Sequence, residues 1–117
     1  MLRVYVAGKY SADNVVDVLR NIGKGEKAAS ELFWAGFYPF CPWHDASYIK
    51  DNPDNDFDVS SFKRHSMAWL EVSDCIFVLD GYEESKGTLA EIERAKELNI
   101  PIYYERKHTL NYILGKI

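Results

Sequence analysis

The sequence predicts an α/β domain, a three-layer sandwich of helices around a parallel four- to five-stranded sheet. Short apolar runs rich in β-formers, Leu2 to Ala7, Phe37 to Phe40, Cys75 to Leu79 and Ile100 to Tyr104, alternate with stretches of helical periodicity. Such alternation favours parallel strands joined by right-handed crossovers. With strand one between strands two and three, and strand four outermost, the switch point falls between strands one and three. The segments after those strands, Gly8-Lys9-Tyr10 and Asp80 to Gly87, then face each other across one crevice. The architecture expected is Rossmann/flavodoxin-like.

Taken in order, Leu2 to Ala7 is the first and central strand, ended by Gly8. Asp13 is placed to cap a helix with apolar positions Val15, Val16, Val18, Leu19 and Ile22. Gly23-Lys24-Gly25 is expected to kink or break that helix, which resumes through Ala28, Ala29, Leu32 and Phe33. It ends at Gly36, a good residue to follow a C-cap. Phe37 to Phe40 is a brief second strand stopped by Cys41-Pro42, and residues 41 to 58 read as the longest irregular stretch. Val59 to Glu71 reads as a helix with Phe62, Met67 and Leu70 toward the sheet. The third strand, Cys75 to Leu79, is wholly apolar and so buried on both faces. A helix from Thr88 places Leu89, Ile92, Ala95 and Leu98 at helical spacing, and Asn99-Ile100-Pro101 stops it. Ile100 to Tyr104 is strand four and Thr109 to Leu114 a short terminal helix.

With 117 residues, 47% hydrophobic and 15% aromatic, the chain suits one folded domain with one core. A net charge of −4, a pI near 5.3 and the lack of a basic run argue against a nucleic-acid polymer as partner. No apolar stretch approaches the roughly 20 residues that span a bilayer, so no membrane partner is expected. The opening Met-Leu-Arg-Val-Tyr-Val-Ala-Gly enters a strand directly and lacks signal-peptide anatomy, which makes a cytoplasmic location the expectation. Cys41 and Cys75 then read as reduced thiols.

No metal or cofactor is expected either. Cys41-x-x-His44 has too few partners for zinc. Asp54-x-Asp56-x-Asp58 resembles a calcium loop but has Val59 where the glycine belongs and His65 where the bidentate glutamate belongs. Gly23-Lys24-Gly25 lacks the spacing of a Walker loop or a dinucleotide fingerprint.

The chemistry concentrates between Asp80 and Glu91. A buried strand, a glycine-containing turn and a helix N-terminus form a ligand site in parallel sheets, with unpaired backbone N–H groups toward the crevice. Glu91 is expected in the first helical turn, with Ser85, Lys86 and Gly87 on the approach. Thr88-x-x-Glu91 is equally a capping box, which would stabilise a helix start without catalysis.

These landmarks together resemble the nucleoside 2-deoxyribosyltransferase-like family, which includes 2′-deoxynucleoside 5′-monophosphate N-glycosidases. Val4-Tyr5-Val6-Ala7-Gly8 is similar to the family's first strand, and Ser85-x-Gly87-x-x-x-Glu91 followed by Ala95 to its nucleophile motif. Ile100-Pro101-Ile102-Tyr103 matches the strand that follows, and Trp69-Leu70 with Asp74 the approach to strand three. The resemblance runs over most of the chain, so residues 1–117 are expected to form a single domain of this kind. It implies cleavage or transfer at the N-glycosidic bond of a nucleoside or nucleotide, without a cofactor. In the family the motif glutamate attacks the anomeric carbon to form a covalent glycosyl-enzyme; here that role falls to Glu91, with Tyr5 hydrogen-bonded to it. Relatives complete their sites from a neighbouring subunit, which implies a homodimer or larger. The chemistry is that of a retaining glycosidase, and a helix N-terminus is expected to keep the nucleophile ionised.

Ser85 stands where the transferases tend to hold an Asp suited to a free 5′-hydroxyl and the monophosphate hydrolases a Ser that contacts phosphate. With Gly8, Lys9, Lys86 and Gly87 it makes a candidate phosphate cradle, although Lys9 and Lys86 read equally well as solvated charges. Ser66 occupies a place where relatives commonly carry an Asp that serves the base or sugar, and a serine is no general acid at neutral pH. Asp80, at the crevice end of strand three, is the preferred replacement and His65 the other; a cap or turn role for Asp80 stands beside it. Trp43 and His44, just past strand two, are candidates to stack on or hydrogen-bond a base, or Trp43 to cover the sheet edge. Ser66 also motivates the alternative of a nucleotide-binding protein that has lost turnover.

Overall fold

The computed structural model describes residues 2–54 and 59–116. Its sheet consists of β1 (Arg3–Ala7), β2 (Tyr38–Phe40), β3 (Cys75–Val78) and β4 (Ile102–Tyr104), in the order β2-β1-β3-β4. Every pairing is parallel, with Tyr5 opposite Phe40 on one side and Ile76 on the other. The helices are α1 (Val15–Trp34), α2 (Ala46–Asp51), α3 (Val59–Glu71), α4 (Lys86–Glu97) and α5 (Leu110–Lys116). Asp74 ties the first two central strands together, its carboxylate accepting from the Arg3 backbone N–H at 2.7 Å. Among the described residues no helix is long and apolar enough to cross a membrane.

Side chains alternate across each strand, so the sheet feeds two separate cores. Val4, Val6, Cys75, Phe77 and Leu79 pack with Ala28, Ala29 and Leu32 of α1 and Ile113 of α5. Tyr5, Ala7, Ile76 and Val78 face the other way, onto Leu70 of α3 and Ile92 and Ala95 of α4. That parity directs Tyr5 toward the helices that carry Ser66 and Glu91.

Several local expectations are corrected by packing. Gly23-Lys24-Gly25 does not interrupt α1, which runs unbroken for 20 residues. Gly25 is there for room: a Cβ would sit 2.3 Å from the Trp43 indole. The helix cap is Asn14 rather than Asp13, its side chain accepting from the Asp17 N–H at 2.9 Å. At the far end Gly36 adopts φ 101° while the Phe37 N–H reaches the Leu32 carbonyl at 3.0 Å, the closure that a glycine after the C-cap allows. The stretch after β2 is not wholly irregular, since a 3₁₀ turn (Pro42–Asp45) leads directly into α2. Asp56 and Asp58 of the acidic triplet lie outside the described residues.

Candidate active site

Tyr5 is fully buried on β1, and its ring stacks on Phe40 at 5.6 Å. Phe40 in turn stacks on the half-exposed Trp69 at 5.5 Å, which fixes the tyrosine between sheet and α3. The Tyr5 hydroxyl engages the carboxyl of Glu91 on α4 and the hydroxyl of Ser66 on α3. Burial, and then the adjacent Glu91 charge, push this phenol far above its ordinary range, so it stays a proton donor.

The Tyr5 interaction satisfies only part of the Glu91 carboxyl. Its Oε2 is enclosed and has no hydrogen-bond partner among the described residues. Burial lifts the Glu91 pKa to about 7, against the opposing pull of the Tyr5 hydrogen bond. A buried carboxyl with an unsatisfied oxygen is costly to a fold and is a common mark of a working site.

The helix holding Glu91 starts earlier than its periodicity suggests. Ser85 is the N-cap, and its Oγ accepts from the Thr88 N–H at 3.2 Å and from the Thr88 hydroxyl at 2.9 Å. Thr88 is therefore buried inside the first turn and does not head a capping box with Glu91. Glu91 falls in the second turn, beyond the reach of the helix terminus, and desolvation rather than the dipole governs its charge. Lys86 and Gly87 occupy the first two helical positions, whose N–H groups have no acceptor within the helix.

The rim of the crevice is charged and mutually satisfied. Lys9 donates to Glu84 at 2.7 Å across the two loops, and this pair holds the lysine pKa above and the glutamate pKa below their ordinary values. Gly8 permits a close approach, because a Cβ would meet Leu79 and Trp43 at 3.1–3.2 Å. Asp80, half exposed, pairs with Arg106 at 3.3 Å, while its backbone N–H donates to Glu105 at 3.1 Å. Asp80 is thereby tied to Glu105 and Arg106, which directly follow β4.

Trp43 belongs to the α1 core, only 3% exposed, with its indole N–H donating to the Lys9 carbonyl at 3.3 Å. It packs on Gly25 and offers no free face for stacking on a base. His44 is exposed and lies 3.6 Å from Glu26 of α1. Asp45, which the sequence did not single out, comes in beside them with His65. Asp45 is buried, and His65 Nδ1 lies 3.7 Å from its Oδ1, enclosed and without a hydrogen-bond partner among the described residues. Burial raises the Asp45 pKa, and the neighbouring His65 and His44 oppose this. Phe40 touches the His65 ring at 5.9 Å and Tyr48 meets it edge-on at 5.7 Å. Asp45 carried no signal in the sequence because it ends a 3₁₀ turn, an element without usable periodicity. Among the described residues no group of three or more His, Cys, Asp and Glu side chains could hold a metal ion.

A sequence model of the family described as "Domain of unknown function (DUF4406)" matches residues 2–104. No curated protein matches the chain. Among solved structures, a 2-deoxyribosyltransferase from the psychrotolerant bacterium Bacillus psychrosaccharolyticus is similar, with a TM-score of 0.58 at 16% identity over 97% of this chain and 80% of that one. At that identity the likeness is one of fold.

Proposed function

The chain belongs to the DUF4406 family, and from that premise we propose that it cleaves or transfers at the N-glycosidic bond of a 2′-deoxynucleoside, with the 5′-monophosphate as its preferred substrate. The observation that carries this reading is the enclosed Glu91 carboxyl, one oxygen unpartnered and the other flank held by the Tyr5 hydroxyl. The 2-deoxyribosyltransferase fold supports it.

In the proposed reaction the ionised Glu91 attacks the anomeric carbon as the base departs, giving a glycosyl ester. Tyr5 orients the carboxylate through its hydroxyl and supports it again when the ester is opened by water or by an acceptor base. Ser85, Lys86, Gly87, Gly8 and Lys9 receive the 5′-phosphate, whose charge competes with Glu84 for Lys9. A second copy of the chain completes the site, so the working form is a homodimer or larger.

The test is release of free base, followed by chromatography, from a panel of deoxynucleosides and their 5′-monophosphates, by wild type and Glu91→Gln. Release by wild type that Glu91→Gln loses, greater for monophosphates, supports the reading. Release retained by Glu91→Gln refutes the covalent route, and equal rates with nucleosides refute the phosphate cradle. Ser66 beside Tyr5, where a carboxylate would serve as acid, favours a second reading: a nucleotide-binding protein without turnover. Thermal stabilisation by a monophosphate without base release would select it.

A further inference from the structure

Two side-chain atoms among the described residues are buried without a hydrogen-bond partner, and they are Glu91 Oε2 and His65 Nδ1. Both border Tyr5. Glu91 meets its hydroxyl directly, and His65 is separated from its ring by Phe40 alone, 5.6 Å from Tyr5 and 5.9 Å from His65. His65 also immediately precedes Ser66, which touches the Tyr5 hydroxyl. The two unsatisfied groups are a nucleophile candidate and an acid/base candidate, linked through one aromatic stack. A glycosidic cleavage needs both roles filled.

From this placement we infer that His65 is the proton donor to the departing base and that Asp45 is the residue that positions it. The inference rests on the glycosidic reading of Glu91. Asp45 closes the turn after β2 with its side chain 12% exposed, and its Oδ1 lies 3.7 Å from His65 Nδ1. That separation is long for a hydrogen bond, as catalytic pairs commonly are before a ligand draws them together. The His65 side chain is 37% exposed while Nδ1 is enclosed, so its accessible surface lies on the rest of the ring. Nδ1 toward Asp45 and Nε2 toward a ligand is the arrangement that orients an imidazole in hydrolytic sites. Tyr48 and Phe40 hold the ring from two sides. The other titratable groups that interact with Asp45 are His44, Tyr10, Cys41 and Tyr5, and Tyr48 is the titratable ring against His65 itself.

The step balances as follows. A Glu91 oxygen bonds to C1′ while the C1′–N bond breaks, its electron pair staying with the base. The imidazolium proton moves to the base nitrogen, leaving a glycosyl ester, a neutral base and a neutral imidazole. In the second half, water or an acceptor base gives its proton to His65 as it bonds to C1′, and the ester bond breaks to restore the carboxylate. This pair supplies the proton that Ser66 cannot.

The experiment compares two substrates on wild type, His65→Gln and Asp45→Asn. One is a purine deoxynucleoside 5′-monophosphate. The other carries 4-nitrophenolate at the anomeric carbon of 2-deoxyribose 5-phosphate and leaves as a stable anion without a proton. In the first turnover, before the ester is opened, His65→Gln should slow base release by roughly 10²-fold or more yet leave the burst of nitrophenolate within a few-fold of wild type, and Asp45→Asn should show the same split more weakly. The nitrophenolate reaction certifies that the variants fold and bind. Equal slowing of that first turnover on both substrates, or no slowing on either, overturns the role of His65 while the reading of Glu91 stands. Wild type that releases neither leaving group defeats that reading, and the inference falls with it.

Discussion

The floor and the rim of the crevice are built on opposite principles. At the rim Lys9 meets Glu84 at 2.7 Å and Arg106 meets Asp80 at 3.3 Å, each pair at the surface. At the floor Glu91 and His65 each keep a polar atom enclosed without a hydrogen-bond partner among the described residues. Exposed ion pairs contribute little to stability and exchange partners freely. An enclosed carboxyl has no such freedom, and its charge is set by the protein around it. The difference teaches what burial does to a charged group: at the floor it raises the Glu91 pKa, while the ion pairs of the rim remain at the surface. Asp80 and Glu91 are both carboxylates on the segment after β3, yet Asp80 is exposed and paired with Arg106 while Glu91 has an enclosed oxygen.

The largest effect that sharpens this contrast is on turnover. Glu91→Gln removes the attacking oxygen at almost constant shape, so base release should fall by several orders of magnitude while the thermal transition persists. A variant that keeps near-wild-type release would place the floor with the rim, as structure without chemistry.

The same substitution has a stability signature with a definite sign. Burial raises the folded-state pKa of Glu91 from 4.5 to about 7, so the folded chain holds this proton more tightly than the unfolded one. Stability is therefore lost as pH rises between those values, by up to about 3 kcal/mol for a shift of that size. Glu91→Gln should be more stable than wild type at pH 8 and no more stable at pH 4, measured by denaturant unfolding. A loss at pH 8 would mean that the carboxylate is stabilised by its surroundings.

Tyr5→Phe keeps the ring on Phe40 and deletes the hydroxyl. Turnover should fall by about ten- to a hundredfold, the worth of one hydrogen bond to a charged group. Because that bond lowers the Glu91 pKa, the rise of activity with pH should also move upward in the variant. An unchanged pH profile would remove Tyr5 from the site.

The smallest effect belongs to the rim. Glu84→Gln releases Lys9 from its ion pair and should raise the preference for a monophosphate over its nucleoside a few-fold, with no resolvable change in melting temperature. A marked fall in melting temperature would show that the rim pair supports the fold, and the comparison with the floor would fail.

Much of the fold was legible because it is written locally. The four strands, the right span for α3 and the glycine that ends α1 follow from periodicity and end signals along the chain. Alternation on β1 likewise determined that Tyr5 and Val6 face different layers. The sequence also marked Glu91 and Tyr5 as residues of interest, through spacing and resemblance. Only the tertiary structure decided what these groups experience. Gly25 is a glycine within α1 because Trp43, distant in sequence, lies where its side chain would be. Asp80 is paired because β4 brings Arg106 alongside, and Asp45 is enclosed against His65 because α3 returns over the turn after β2. Periodicity reports which face of an element is apolar, but it carries nothing about which polar atom meets which. That depends on contacts between segments far apart in the chain, and desolvation, the term that sets the Glu91 pKa, is the sum of them.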